Sequence, residues 1–344
     1  MERRGLKLIG IGLADEYDLS LKAIEEARSC DRLYVELYTT KLSTSRERLE
    51  AVLQRPVTDL FRRDLEGEAP RILEEASRSL VGLLVGGDCL AATTHISLLL
   101  EAKKRGIPTR VIHGSSILTA IAETGLSLYK FGRVVTLPLP ERGPSDTVLE
   151  ALEGNLSLGL HTLILLDMDA ERDRWLSVGD GIRLLLEAGR PEVFNEETPV
   201  IGVARLGWRN PLLKGGKAVE LLDVDFGNPP QALIVPGRLH FIEEEGLRLL
   251  ANCPEEALKG WRPRGEPEHL VERYMESCRR VMEELRNRPL SEEAKKILDY
   301  ASRYLSDAEY YAGEGRWPTA LAAVSYCEGL LDALRLLGLA EFEW

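Results

Sequence analysis

The chain has 344 residues, a formal charge of −12 and 44% apolar residues. That is enough apolar content for a sizeable core over two or three domains and too much for a disordered chain. No run of ~18 uncharged apolar residues offers a membrane span, the acid excess argues against nucleic-acid binding by charge alone, and the opening Met1-Glu2-Arg3-Arg4-Gly5 lacks the apolar stretch and cleavage site of a secretory signal. A cytoplasmic location is therefore expected, in keeping with five cysteines (30, 89, 253, 278 and 327) too far apart for a CxxC metal knuckle or redox pair.

Over the first ~260 residues, short apolar runs alternate with helix-like stretches. The runs are 6–13, 33–37, 81–85, 109–112, 134–138, 162–167, 200–206 and 232–236; the helix-like stretches include 20–30, 69–80, 95–105, 115–124 and 178–189. Runs this short and rich in Val, Ile and Leu read as buried strands between helices, hence an α/β fold with a largely parallel sheet.

Several of these strands end in residues suited to chemistry. The first runs into Gly10-Ile11-Gly12-Leu13-Ala14-Asp15. Two glycines allow close approach of backbone to a ligand, but a dinucleotide fingerprint needs a third glycine where Asp15 stands, and that carboxylate would repel a phosphate. The run 81–85 opens onto Gly86-Gly87-Asp88-Cys89-Leu90-Ala91-Ala92-Thr93-Thr94-His95. An acid at the carboxyl edge of a parallel strand stands where α/β sheets bind ligands and accepts from ribose hydroxyls or an ammonium group. The plainer role for Asp88 or Thr94 is to cap the next helix, with His95 an ordinary residue of its first turn.

Val111-Ile112-His113-Gly114-Ser115-Ser116-Ile117 repeats the arrangement. Ser115 or Ser116 caps the following helix, or its free N–H groups hold an adenosine or a carboxylate; His113 is a candidate base. Further along, His161-Thr162-Leu163-Ile164-Leu165-Leu166-Asp167-Met168-Asp169 is a strand ending in acids, while Ala204-Arg205-Leu206-Gly207 and Asn228-Pro229-Pro230-Gln231 flank strands with turns. The chain has no GxSxG elbow, HExxH pair or GxxxxGK[ST] loop. Its five histidines form no ligand spacing, so no catalytic metal is expected.

Composition changes near 260. The segment 261–267 holds two Pro and one Gly and reads as a linker. Beyond it, apolar residues recur at helical spacing in three sets: Leu270 to Leu285, Ile297 to Tyr311 and Leu321 to Leu337. Ser291 ahead of two glutamates is a helix start, and Pro318 and Gly338 suit the first turn and the end of the last helix. The domains expected are thus 1–260, with subdomains about 1–113 and 114–260, and an all-helical domain 268–344. From residue 262 onward, 12 basic and 16 acidic residues leave a net charge of −4, so this part is no basic nucleic-acid module either.

Taken together, these segments resemble the diphthine synthases, S-adenosylmethionine-dependent methyltransferases of the tetrapyrrole-methylase-like class. The resemblance rests on the opening GxGL with Asp18-Leu19-Ser20-Leu21, on Tyr34 to Thr39, and on Gly87 to His95, which is close to the family's GDPLVATTH signature. It continues through Val111-Ile112-His113 with Ser116-Ile117, Leu128-Tyr129-Lys130-Phe131-Gly132, His161-Thr162-Leu163 with Leu166-Asp167, Ala204 to Gly207, Asp225 to Pro230 and Val235-Pro236-Gly237. It implies two α/β subdomains with the cofactor in the cleft between them, and a homodimer.

By motif position, the residues contacting S-adenosyl-L-methionine, and S-adenosyl-L-homocysteine after transfer, are Leu13, Asp88, Ala91, Ser116, Ile117, Leu166, Leu206 and Gln231. Asp88 would meet the polar part of the cofactor and the backbone of Ser116 and Leu206 would anchor it. Cys89 replaces the Pro that usually follows the Asp, and Gln231 stands where relatives often carry His.

The implied reaction is repeated methylation of the amino group on a 3-amino-3-carboxypropyl-modified histidine of elongation factor 2, the diphthine step of diphthamide biosynthesis. No base is identified; Tyr129, His95 and His113 are candidates. Two alternatives stay open: a tetrapyrrole precursor as substrate, and a scaffold that binds cofactor without turnover. The tail resembles a small archaeal helical domain of unknown function, which would recruit substrate, tighten the dimer or add stability. Neither nucleic acid nor membrane is expected as a partner.

Overall fold

In the computed structural model, residues 3–38, 40–61, 70–170, 172–263 and 266–344 are described. Thr39, the first residue of the stretch 69–80, and Arg264 and Gly265 of the expected linker lie outside them. The chain divides into two compact units, Met1–Asn155 with Leu160–Arg262, and Leu156–Gly159 with Pro263–Trp344.

The first half of the larger unit is a five-stranded parallel sheet. Its strands are β1 (Gly5–Gly10), β2 (Arg32–Glu36), β3 (Thr58–Leu60), β4 (Leu80–Val85) and β5 (Thr109–Ile112), in the order β3-β2-β4-β1-β5. Helices α1 (Leu21–Arg28) and α2 (Arg46–Leu53) cover one face; α3 (Pro70–Ala76) and α4 (Ile96–Lys104) cover the other. Strand alternation divides β1 between the two layers. Leu6 and Leu8 pack with Leu73 and Leu98, while Ile9 and Ile11 pack with Ala23 and Leu49. Because both faces are covered, β1 and β4 are buried along their whole length, and such strands show in a sequence as unbroken apolar runs.

The second half holds β6 (Val135–Leu137), β7 (Thr162–Leu166), β10 (Pro199–Ala204), β11 (Leu212–Lys217) and β12 (Gln231–Val235), with a small ribbon of β8 (Met168–Asp169) and β9 (Arg174–Trp175). The order is β11-β10-β12-β7-β6, and only β6 and β7 run parallel; the other three pairings are antiparallel. The expectation of a largely parallel sheet thus describes the first half alone. Strand β11 follows β10 after a short loop with no helix between them, and a short connection permits only an antiparallel return.

Among the helices of this half, α5 (Ile117–Ala120), α6 (Asp146–Ser157), α7 (Val178–Glu187), α8 (Ala218–Leu221), α9 (Phe241–Leu250) and α10 (Glu255–Leu258), the start of α7 is fixed by a reciprocal cap between Ser177 and Asp180.

The smaller unit contains α11 (Glu266–Arg286), α12 (Glu292–Gly313) and α13 (Trp317–Leu336) around a core of Val271, Cys278, Leu285, Ala301, Val324 and Leu331. Ser291 caps α12 through Ala294 N at 3.1 Å. Pro318 lies in the first turn of α13, and Gly338 beyond its end takes φ +67°, the left-handed conformation that terminates helices. Among the described residues no helix is long and apolar enough to cross a membrane, and no cluster of His, Cys, Asp and Glu could hold a metal ion. All five cysteines are buried free thiols.

Candidate functional site: a cavity where two sheets end

The carboxyl ends of β1 and β4 emerge side by side and stay joined one step past the sheet. Gly12 N donates to Gly87 O at 3.2 Å and Gly87 N to Gly12 O at 2.8 Å. The contact is backbone against backbone. A Cβ on Gly10 would lie 2.5 Å from Gly114 N and 2.7 Å from Gly87 O, and one on Gly114 would lie 2.6 Å from Gly87 O. Asp18 Oδ2 accepts from Leu13 N at 2.9 Å and Ala14 N at 2.7 Å, which curls the first loop beside this floor. Asp15 caps the short 3-10 turn at Glu16–Asp18 by accepting from Tyr17 N.

Opposite stand the ends of the second sheet: the carboxyl ends of β7 and β10 and the amino end of β12, neighbours because the pairings are antiparallel. Arg205, at φ +55°, donates from Nη1 to Phe226 O at 2.7 Å and Asn228 O at 2.6 Å, drawing the 226–228 loop onto the end of β10. The loops of the two halves touch directly. Trp208 Nε1 donates to Leu13 O at 2.9 Å. Lys41 Nζ lies 3.0 Å from Asp173 Oδ1 and 5.3 Å from the centre of the Trp175 ring.

Between these edges lies a cavity of about 280 Å³. Leu13, Asp88, Ala91, Ser116, Ile117, Leu166, Leu206 and Gln231, the eight positions expected to meet a cofactor, all line it. Asp88 Oδ1 accepts from Leu90 N at 2.9 Å, closing a local turn, and Oδ2 lies 2.8 Å from His113 Nδ1. Four lone-pair positions minus two partners leaves acceptor capacity for a ligand. Asp88 therefore does not cap α4; His95 holds that position and makes no capping bond. Ser116 does cap α5, accepting from Leu118 N at 3.2 Å. Gln231 has both ends of its amide engaged: Oε1 accepts from Val178 N at 2.9 Å and Nε2 donates to Gly227 O at 2.6 Å.

Asp167 also lines the cavity but has little to spare. Its oxygens accept from Met168 N, from Leu139 N, and from Arg142 Nη1 at 2.8 and 2.9 Å, while Arg142 Nη2 reaches Asp169.

The three candidate bases are scattered. Tyr129 is 98% exposed and His95 is buried; neither lines the cavity. The His95 ring has no hydrogen-bond partner among the described residues, its Nε2 stands 3.8 Å from Glu36 Oε1, and burial pushes its imidazole down to about 4, so it is neutral at pH 7. His113 is 70% exposed and reaches the cavity only through Asp88. Thr40, Leu42 and Thr136 line the cavity without having been singled out in the sequence. Thr40 and Leu42 follow β2 at the same sheet edge, and the rule that ligands bind beyond the carboxyl ends of strands would have found them.

Two further motif residues, Lys130 and His161, converge elsewhere, on Glu243. Its oxygens receive Ser127 N at 3.1 Å, His240 N at 2.9 Å, His161 Nε2 at 3.1 Å and the Lys130 ammonium. His161 Nδ1 accepts from Gly237 N at 2.8 Å, which places the ring proton on Nε2, facing the carboxylate. Burial pushes the Glu243 carboxyl up, but the bonds from Lys130, the His240 N–H, His161 and the Ser127 N–H outweigh it and hold it at about 2. Burial pushes the His161 imidazole below its usual range against the pull of Glu243.

The family described as Tetrapyrrole (Corrin/Porphyrin) Methylases matches residues 5–221 of this chain, and a family described as Protein of unknown function (DUF357) matches residues 269–340. The chain is 41% identical to a diphthine synthase of Methanococcus maripaludis over 250 residues, 71% of this chain and 98% of the relative. It is 42% identical to a diphthine synthase of Methanosarcina mazei over 264 residues, 74% and 98% of the two chains. A crystal structure of diphthine synthase superposes with a TM-score of 0.68 at 36% identity, covering 73% of this chain and 98% of the other. The chain therefore belongs to the tetrapyrrole methylases and, among them, to the diphthine synthases, S-adenosylmethionine-dependent methyltransferases of diphthamide biosynthesis.

Proposed function

We propose that this chain binds S-adenosylmethionine in the 280 Å³ cavity and methylates the amino group of the 3-amino-3-carboxypropyl histidine of elongation factor 2, repeatedly, as a cytoplasmic homodimer. The observation that carries this reading is the convergence of the eight motif positions, from six separate loops and strand ends, on one cavity. The lining suits the cofactor. Asp88 offers free acceptor positions to hydroxyl groups, Ser116 and Leu206 offer backbone, and Leu13, Ile117 and Leu166 offer apolar surface to a purine.

When bound, S-adenosylmethionine supplies a sulfonium methyl group open to direct in-line displacement by an amine, so positioning provides much of the rate. This chain's part is to orient and to exclude water. Gln231 acts as a brace, since its amide is already shared between Val178 and Gly227. Asp167 is held by Arg142 and two backbone N–H groups, so it shapes the wall. The acceptor attacks as the free amine, its ammonium form having first given a proton to water. Relatives bearing the diphthine synthase name at about 40% identity favour the protein substrate over a tetrapyrrole precursor.

The proposed organisation is a methyltransferase at 1–260, with subdomains about 1–113 and 114–260, a linker at 261–267, and a helical domain at 268–344 that recruits the protein substrate, tightens the dimer or adds stability. Deletion of 262–344 with unaltered activity on elongation factor 2 would remove the recruiting role.

The reading is tested by incubating the full chain with labelled S-adenosylmethionine and elongation factor 2 already carrying the aminocarboxypropyl histidine. Label on the factor and mass steps of one methyl group each are expected. Cofactor binding without label on the factor would overturn the substrate assignment and reopen the scaffold reading.

A further inference from the structure

We propose that His113 is a positioning residue for the methyl donor: from outside the cavity, its Nδ1–H fixes the plane of the Asp88 carboxylate that faces the donor. The inference rests on the proposed donor site and goes one step further, to a residue that does not line it.

The Asp88 side chain is anchored from two sides. The first anchor is local, Leu90 N on Oδ1 at 2.9 Å, and turns with the loop itself. The second, His113 Nδ1 on Oδ2 at 2.8 Å, comes from the loop after β5, 25 residues along the chain. A carboxylate that accepts two bonds from different elements loses its freedom to rotate, and its two remaining lone-pair positions point in set directions. Since an ionised carboxylate only accepts, the imidazole proton must sit on Nδ1.

The origin of the His113 side chain is itself closely packed. The next residue, Gly114, packs against the backbone of Gly10 and Gly87, with no space for a Cβ on Gly114 or on Gly10. The strand ends thus form one rigid frame carrying both partners of the His113–Asp88 bond. His113 is 70% exposed, and its only described hydrogen-bonding partner is Asp88, so its replacement empties no core and leaves the cavity wall intact. What is lost is orientation of the acceptor before the donor arrives, the part of affinity that preorganisation supplies.

The test is a cycle of four full-length proteins: wild type, His113→Phe, Asp88→Asn and the double variant. S-adenosylhomocysteine affinity is measured by calorimetry, kcat and KM for S-adenosylmethionine by methyl transfer, and melting temperature serves as a control. His113→Phe is expected to weaken S-adenosylhomocysteine binding about tenfold and raise the donor KM in step, with kcat within about twofold of wild type. His113→Asn, whose amide N–H stands near the place of Nδ1–H, should recover most of the loss. In the Asp88→Asn background His113→Phe should change affinity by less than about twofold, because the group it positions has already been altered.

Wild-type affinity in His113→Phe, alongside lost affinity in Asp88→Asn, would overturn the positioning role and leave the donor site standing. An equal loss in His113→Phe with and without Asp88→Asn would also overturn it, since the ring would then act through the fold. Wild-type affinity in Asp88→Asn would instead overturn the donor site itself. Should His113→Phe fail to fold, His113→Gln carries the same cycle, with His113→Asn kept as the rescue variant.

Discussion

Two carboxylates in this chain, Asp88 and Glu243, sit in segments that the family motifs mark or flank, and they have opposite situations. Glu243 is surrounded: two backbone N–H groups, a histidine and a lysine occupy its oxygens, away from solvent. Asp88 accepts two bonds only and faces a cavity. The first is saturated and ties the turn at Leu128–Lys130, the start of β7 and the start of α9 into one knot. The second keeps capacity for a ligand. A motif residue is thus structural or functional according to how many of its acceptor positions the protein itself has filled, a matter that sequence similarity does not distinguish.

The contrast can be broken most severely at the knot. Glu243→Ala leaves the buried His161 and the Lys130 ammonium without their carboxylate, and removal of one partner from a buried charge pair typically costs ~3–5 kcal/mol. Chemical denaturation is expected to show a loss of that size; a loss below ~1 kcal/mol would mean the knot is not a stabilising centre.

Acid probes the same group without mutation. Glu243 is held at about 2 against an ordinary 4.5, so its contribution is complete above pH ~4.5 and disappears as pH falls towards 2, a change of up to ~3 kcal/mol. His161 adds to it from higher pH. Its folded value lies below the ordinary 6.5, so folding is favoured by neutrality above that value and loses this support as pH drops below it. A wild-type stability curve flat between pH 7 and 3 would contradict both assignments.

At the cavity, Asp88→Asn should spare the fold, with a melting temperature close to that of wild type, and weaken S-adenosylmethionine binding by ~10–100-fold through the lost charged hydrogen bonds. A Tyr129→Ala variant should give the smallest change, within ~0.5 kcal/mol in stability and no shift in donor affinity, since its ring is almost wholly in solvent and off the cavity. A large effect on methylation of the protein substrate alone would place Tyr129 on the docking face.

How far the molecule could be read beforehand follows from the same physics. Strands β1, β4, β10 and β12 are buried from end to end and stand out as apolar runs. Strand β11 reads Leu-Leu-Lys-Gly-Gly-Lys and does not; Gly215 is there because a Cβ would lie 2.6 Å from Cys253, a close approach that only the fold reveals. Helix α2 begins with a serine cap but is half charged, so its buried Leu49 and Leu53 make a weak pattern. The eight cavity positions came from resemblance to a family, since loop ends have no periodicity to follow. Glu243 lay hidden because its partners are 82 to 116 residues distant in the chain apart from His240.

The meeting of Gly10, Gly87 and Gly114 bears on efforts to reshape this pocket. Under the lining residue Gly87 the frame is bare main chain, so ordinary mutagenesis has no side chain there to shorten, and a Cβ on Gly10 or Gly114 would lie within 2.5–2.7 Å of a backbone atom. Room for a bulkier alkyl donor would have to come from the opposite wall, by trimming Leu166 or Leu206, while the face that carries Asp88 stays as it is.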